Sequence, residues 1–255
     1  MTLYLNGLSV RYGQRPVLTD LCLPPVAAGS VVGLLGANGA GKSTLLRALA
    51  GLQSATGTAT LDGQSLLTST HHEAVGYLPQ SLPQGSPLLA YEAVLSTLRA
   101  TRPDLSRRAA EQRIETVFDR LGLRDLALRT MAQLSGGQRQ MVGLAQVLVR
   151  QPRLLLLDEP TSALDLRWQL AVLQTVRSLT VDHGCLALIA IHDINLAARF
   201  CDRLLILGDG TVIADGPPAS ALTPATLSDA YAVSARVERC SLGTPIVLAD
   251  SALPL

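Results

Sequence analysis

At 255 residues and 26.9 kDa the chain can bury a sizeable core, enough for one large α/β domain with a smaller inserted or appended piece. Its 21 Lys and Arg balance 20 Asp and Glu to a net charge of +1, and aromatic residues make up 3%, so composition offers neither a basic nucleic-acid surface nor a base-stacking platform. The cysteines at 22, 185, 201 and 240 lack C-x-x-C spacing, which points to scattered thiols in a reducing compartment, and no apolar run approaches the roughly 18 residues of a membrane span.

The first stretch alternates short apolar runs with turns: "TLYLNGLSV", "VLTDLCL", "SVVGLLG", "GTATLDG" and "AVGYLPQ" read as strands of a mixed sheet. Between the third and fourth lies "KSTLLRALAGL", whose apolar residues recur at helical spacing up to a stop at Gly51. From 88 to 150 the composition shifts to helix formers and arginines, which predicts an inserted helical subdomain of three helices broken by "TRPDLS" and "RTMAQLS". After Pro152 strand and helix alternate again. "RLLLLDEP" and "CLALIAIHD" read as buried strands, "LRWQLAVLQTVRSLT" and "NLAARFCD" as helices, and "RLLILGDGTVIADG" as a hairpin turned at "GDG". Residues 217–255, rich in Pro, Ala, Ser and Thr, predict a C-terminal extension with a short helix and a strand. A hydrophobic fraction of 48% and mean hydropathy of +0.30 leave room for apolar surface covered by a partner.

"GANGAGKST", 36–44, satisfies the P-loop (Walker A) pattern with Gly36, Gly41, Lys42 and Ser43, and it stands where that pattern needs to stand, after an apolar strand and at the start of a helix. Glycines such as Gly36, Gly39 and Gly41 let backbone amides, with Asn38 among them, curl around phosphates, and the helix start adds partial positive charge. Lys42 is expected on the β- and γ-phosphates, Ser43 on Mg²⁺, and Thr44 on the α- and β-phosphates of ATP. "LLLLDEP", 154–160, supplies acids at the end of a buried strand, where ligands sit in an open α/β sheet. Asp158 is expected to hold the Mg²⁺ shell, and Glu159 to be the general base or water-positioning carboxylate for attack on the γ-phosphate. His71, His72 and His183 read as solvated.

"LSGGQRQ", 134–140, is a second glycine turn without a lysine. Together with Tyr12 in "VRYGQ", the P-loop, Gln80 in "GYLPQ", "LLLLDEP", "SALD" at 162–165 and His192 in "AIHD", it resembles, in order, the motif set of the nucleotide-binding subunits of ABC (ATP-binding cassette) transporters, over about residues 1–216. The resemblance implies an α/β fold: a P-loop NTPase core of ABC type, mixed sheet with a RecA-like lobe and an antiparallel β subdomain, plus an inserted α-helical subdomain. The implied division is 1–87 and 151–216 for the two parts of the nucleotide-binding core, 88–150 for the helical subdomain with the signature motif, and 217–255 for the extension.

On that resemblance Ser135, Gly136, Gly137 and Gln138 bind the γ-phosphate of ATP held by the P-loop of a second copy, so that two chains sandwich two nucleotides. The helix dipole there supplies what a lysine would. Tyr12 would stack on adenine, although a tyrosine at a strand end also suits an edge packing role. Gln80 would contact Mg²⁺ or the attacking water, His192 the γ-phosphate, and Asp165 the dimer interface.

The stretches "LLLLDEPTSALDLRWQLAVL" and "IHDINLAARFCDRLLILGDGTVIADGPP" resemble ATPases of bacterial importers for iron-siderophore, haem and cobalamin, with iron chelates the expected cargo and cobalamin less so. A separate permease would then dock on helices of 88–130 and the area around Gln80, a solute-binding protein would act indirectly, and the chain would sit on the cytoplasmic face of the inner membrane. Gln146 stands where relatives usually carry arginine. An exporter ATPase and a non-transport ABC protein are the alternatives. Near-neutral charge and a single cassette speak against nucleic acid as a partner.

Overall fold

The computed structural model describes residues 1–68, 73–82, 86–162 and 164–253. His71 and His72 lie outside them. In chain order the elements are β1 (Thr2–Tyr12), β2 (Arg15–Ala27), β3 (Val31–Leu35), α1 (Lys42–Leu49), β4 (Thr56–Leu61), β5 (Gln64–Ser65), β6 (Val75–Leu78), α2 (Ala90–Thr101), α3 (Arg107–Leu121) and α4 (Gly136–Leu148). There follow β7 (Leu154–Asp158), α5 (Leu166–His183), β8 (Leu186–Ala190), α6 (Ile194–Phe200), β9 (Arg203–Gly208), β10 (Thr211–Gly216), α7 (Pro218–Ala221), α8 (Pro224–Tyr231), β11 (Val233–Arg239) and β12 (Pro245–Ala252).

The early strands divide between two sheets instead of forming one. β2, β1, β4 and β5 make a four-stranded antiparallel sheet, while β3 and β6 join a six-stranded sheet of order β10-β9-β3-β8-β7-β6. In the latter β9, β3, β8, β7 and β6 run parallel, and only β10 is antiparallel, paired with β9 around the predicted "GDG" turn. The division follows from burial: β3, β7 and β8 are buried at every position, whereas β1 and β2 alternate between buried and exposed.

Side-chain alternation makes the six-stranded sheet a middle layer. Val32, Leu34, Leu154, Leu156, Leu186 and Leu188 face α1 and the antiparallel sheet. Val31, Leu35, Leu155, Leu157, Ala187 and Ile189 face the other helices. Each fully buried leucine stabilises such a layer by roughly 1.5–3 kcal/mol. Between β6 and β7 the chain leaves the sheet for α2, α3 and α4, with Ala93, Val94, Leu98, Ile114, Phe118, Met141 and Leu144 forming their shared interior. α3 starts on a Ser106 cap and ends on Gly122 in the left-handed conformation.

The segment 217–255 holds more structure than a helix and a strand: α7 and α8, then the β11–β12 hairpin. Each helix begins on a proline, in "PPAS" and "TPAT", a signal of helix entry that composition alone obscures. The hairpin was hard to anticipate because β11 buries only Ala235, so period-two patterning is nearly absent. Among the described residues no helix is long and apolar enough to cross a membrane.

Candidate active site

Four neighbouring parallel strands, β3, β8, β7 and β6, deliver their carboxyl ends to one edge of the sheet. Beyond those ends lie the 36–44 loop after β3, His192 after β8, Asp158 and Glu159 at the end of β7, and Gln80 after β6. Parallel order alone therefore gathers residues spread over more than half of the chain.

The loop leaves β3 at Gly36, where φ is 138° and a Cβ would overlap the carbonyl oxygen of Leu207 on β9, so the chain can pass only as glycine. Ala37, Asn38 and Gly39 form an exposed crest, and Gly41 caps α1 with Leu18 of β2 packed against it. Lys42 is buried and folds back, its Nζ donating to the carbonyls of Gly36 at 2.6 Å and Ala37 at 3.0 Å. Burial lowers the lysine pKa while the charges of Glu159 and Asp158 draw it back up. Thr44 is buried on the same first turn.

Ser43 donates its hydroxyl to Asp158 Oδ1 at 2.8 Å, and the Tyr77 hydroxyl lies 3.4 Å from Oδ2. Burial pushes the Asp158 carboxyl above its ordinary range, Ser43 opposes that shift, and the neighbouring Glu159 adds to it. A buried carboxylate beside a hydroxyl, both hard oxygen donors, fits a magnesium ion in character. The Gln80 carbonyl oxygen is a third oxygen of that kind, because its amide nitrogen is already committed to Glu159.

Glu159 is held on every side. Its backbone lies at φ 53°, a left-handed conformation uncommon for a non-glycine residue. Its amide donates to Ala190 on β8, and its carbonyl accepts from both the amide and the hydroxyl of Ser162. The carboxylate accepts from Gln80 Nε2 at 2.6 Å on Oε2 and faces His192 Nε2 at 2.5 Å on Oε1. The carboxylate has no proton to give, so the imidazole N–H is the donor, which sets its orientation. With 7% of its surface exposed, Glu159 is nearly enclosed, whereas 47% of the His192 side chain faces outward.

The remaining predicted residues stand apart from this cluster. Tyr12, 42% exposed, ends β1 opposite Arg15 at the β1–β2 turn, on the strand pair whose Leu18 touches the loop. Ser135 caps α4 reciprocally with Gln138: the serine hydroxyl accepts the Gln138 amide at 3.2 Å, and the glutamine side chain accepts the Ser135 amide at 3.0 Å. Ser135 and Gly136 are exposed. Gly137 is closely approached by Leu164, whose Cδ2 would stand 2.8 Å from an added Cβ, so Leu164 underlies the glycine turn within the same chain. Asp165 caps α5 through the Trp168 amide and is exposed. His183 is exposed, as expected. Among the described residues no hydrogen bond joins 135–138 or Asp165 to the Lys42–Glu159 cluster.

Three contributors escaped the sequence reading. Tyr77 lies in "GYLPQ", three residues before Gln80, and its alternation with buried Leu78 hinted that it faces the P-loop layer. Tyr231 and Asn195 carry no local signal, because their partners are 195 and 52 residues away.

The family model described as ABC transporter matches residues 25–162, more than half of the chain and spanning the loop, Gln80, the signature turn and Glu159. The chain belongs to the ABC transporter family. It is an ABC ATPase that binds ATP. It is 40% identical over 249 residues to the hemin import ATP-binding protein HmuV of Bordetella bronchiseptica, covering 93% of this chain and 94% of that one. A solved ATP-binding subunit of an ABC transporter superposes with a TM-score of 0.76 at 28% identity, over 85% of this chain and 90% of the other. A transporter described as of metal-chelate type gives a TM-score of 0.81 over 98% and 97%, and at 24% identity it bears on the fold alone. In this ABC ATPase Gln146 bonds across to α2, donating to the Ala93 carbonyl at 3.2 Å and to Thr97 Oγ1 at 3.1 Å. Gln146 thus ties two helices of the 88–150 region together.

Proposed function

We propose that this ABC ATPase energises import of an iron-containing chelate, haem first and an iron-siderophore complex second, through a separate membrane permease. The site side of the reading is carried by one observation, the Gln80–Glu159–His192 clasp beside Lys42 and Ser43. The cargo side is supported by the name of the hemin import relative. The chain would work as a pair on the cytoplasmic face of the membrane, each P-loop closed by Ser135–Gln138 of a second copy, with Asp165 at their junction.

Lys42 leaves the Gly36 and Ala37 carbonyls to meet the β- and γ-phosphates, while amides of 38–44 and the start of α1 take the remaining oxygens. Tyr12 offers its ring face to adenine. Ser43, Asp158 and Gln80 would hold magnesium, which when bound offsets charge on the β- and γ-phosphates. Glu159 accepts a proton from a water whose oxygen attacks the γ-phosphorus in line, the bond to the bridging oxygen breaks, and ADP leaves. His192 and Gln80 keep the carboxylate aimed at that water, and His192 is exposed enough to reach the γ-phosphate as well.

The test is reconstitution in proteoliposomes with the permease that co-purifies from membranes. Haem uptake that depends on ATP and on a solute-binding protein supports the reading; ATP-driven efflux instead would replace it with an exporter, and uptake of iron-siderophore alone would reassign the cargo.

A further inference from the structure

Residues 217–255 take no part in the chemistry above, yet they touch the site at two places. Tyr231, the last residue of α8, accepts the Gly36 amide N–H on its hydroxyl oxygen at 2.8 Å. Gly36 lies one residue past the final β3–β9 pair, Leu35 with Ile206, where the ladder no longer supplies an acceptor. The carbonyl of the same glycine receives Lys42 Nζ at 2.6 Å, so phenol, glycine and lysine form one chain of contacts. Leu207 lies close on the other side of Gly36, where a Cβ would overlap its carbonyl oxygen.

At the other end of the segment Asn195, on the first turn of α6 and three residues after His192, pairs with the Val247 backbone of β12. Its Oδ1 accepts the Val247 amide at 2.8 Å, and its Nδ2 donates to the Val247 carbonyl at 3.2 Å. This copies the pairing of one strand with another, using a side chain. The segment is tied to itself and to the core: Leu227 and Ala230 of α8 are buried, β11 and β12 pair from Val233 with Ala252 to Arg239 with Pro245, and Arg236 bridges to Asp250 across them.

We infer that residues 217–253 are a brace of the nucleotide site, in which Tyr231 positions the Gly36–Lys42 end of the P-loop and Asn195–Val247 positions the helix that follows His192. Both are positioning residues, acting through Gly36 and His192. The loop that would receive the phosphates and the histidine that would face the γ-phosphate are thereby held to one paired element, besides their link through the sheet. The inference rests on the reading of the site as ATP-hydrolysing.

The full chain tests it as Tyr231→Phe and Asn195→Ala beside wild type, by ATP titration of turnover, binding of a fluorescent ATP analogue and thermal unfolding without nucleotide. Tyr231→Phe keeps the ring and removes one oxygen; KM and the analogue Kd should rise about three- to tenfold with kcat within about twofold. Asn195→Ala should lower kcat by about three- to tenfold with KM near wild type. A lower Tm with KM, Kd and kcat all unmoved would mean a merely structural segment and overturn the inference. So would both variants matching wild type throughout. Failure of the underlying reading shows elsewhere, as absence of ATP turnover in the wild-type protein itself.

Discussion

The two glycine turns of this chain are built in opposite ways. The 36–44 turn is enclosed by its own polypeptide: Lys42 is folded onto its carbonyls, Ser43 onto Asp158, and Gly36 is pinned between Leu207 and Tyr231. The 135–138 turn satisfies itself through a serine–glutamine cap, rests on Leu164, and leaves Ser135 and Gly136 open to solvent. Helix geometry leaves the first-turn amides there without intrahelical acceptors. One turn is finished within its own chain and the other is a free face, as the proposed sharing of a nucleotide between two copies would require of each.

The largest break in that comparison is Glu159→Gln. It removes the proposed proton acceptor but keeps the shape of the clasp, so turnover should fall by about 10²–10⁴, while ATP should drive the variant into a dimer visible by sedimentation velocity. A variant that stays monomeric with ATP would sink the shared-site reading. Lys42→Ala strikes the finished half alone, and ATP affinity measured by equilibrium dialysis should weaken about ten- to a hundredfold. Ser135→Arg strikes the free face alone. Placed in the Glu159→Gln background it should weaken ATP-induced dimerisation by about tenfold or more through a clash at the closing surface, with monomer affinity for ATP within about twofold; a parallel loss of that affinity would show that the turn serves its own nucleotide. The smallest effect belongs to Gln146→Ala, which cuts the α2–α4 tie and leaves both turns intact. Its unfolding free energy, read from the urea midpoint, should drop by about 0.5–1.5 kcal/mol with turnover unchanged.

Elements with strong periodicity were legible from residues alone. The apolar runs "LLLL" and "LALIA" became central strands because only a strand covered on both faces tolerates such runs, and "GDG" turned its hairpin as expected. The assignment of strands to sheets was not legible, since β1 and β3 look alike as short apolar runs and differ only in what covers them. The same limit hid the β11–β12 hairpin, whose exposed faces carry almost no pattern. At the site, Lys42, Ser43, Asp158 and Glu159 were named from local motifs. That Gln80 and His192 converge on Glu159 from either side depends on the order β8-β7-β6.

By itself the sequence determined which groups are present and which local turns they occupy, because P-loop chemistry, helix caps and buried strands are encoded within a few neighbouring residues. Only the tertiary structure decided which groups meet. The clasp of Glu159, the left-handed backbone that aims it, and the reach of Tyr231 and Asn195 between the C-terminal segment and the site each join positions far apart in the chain, and such meetings are set by strand order and packing.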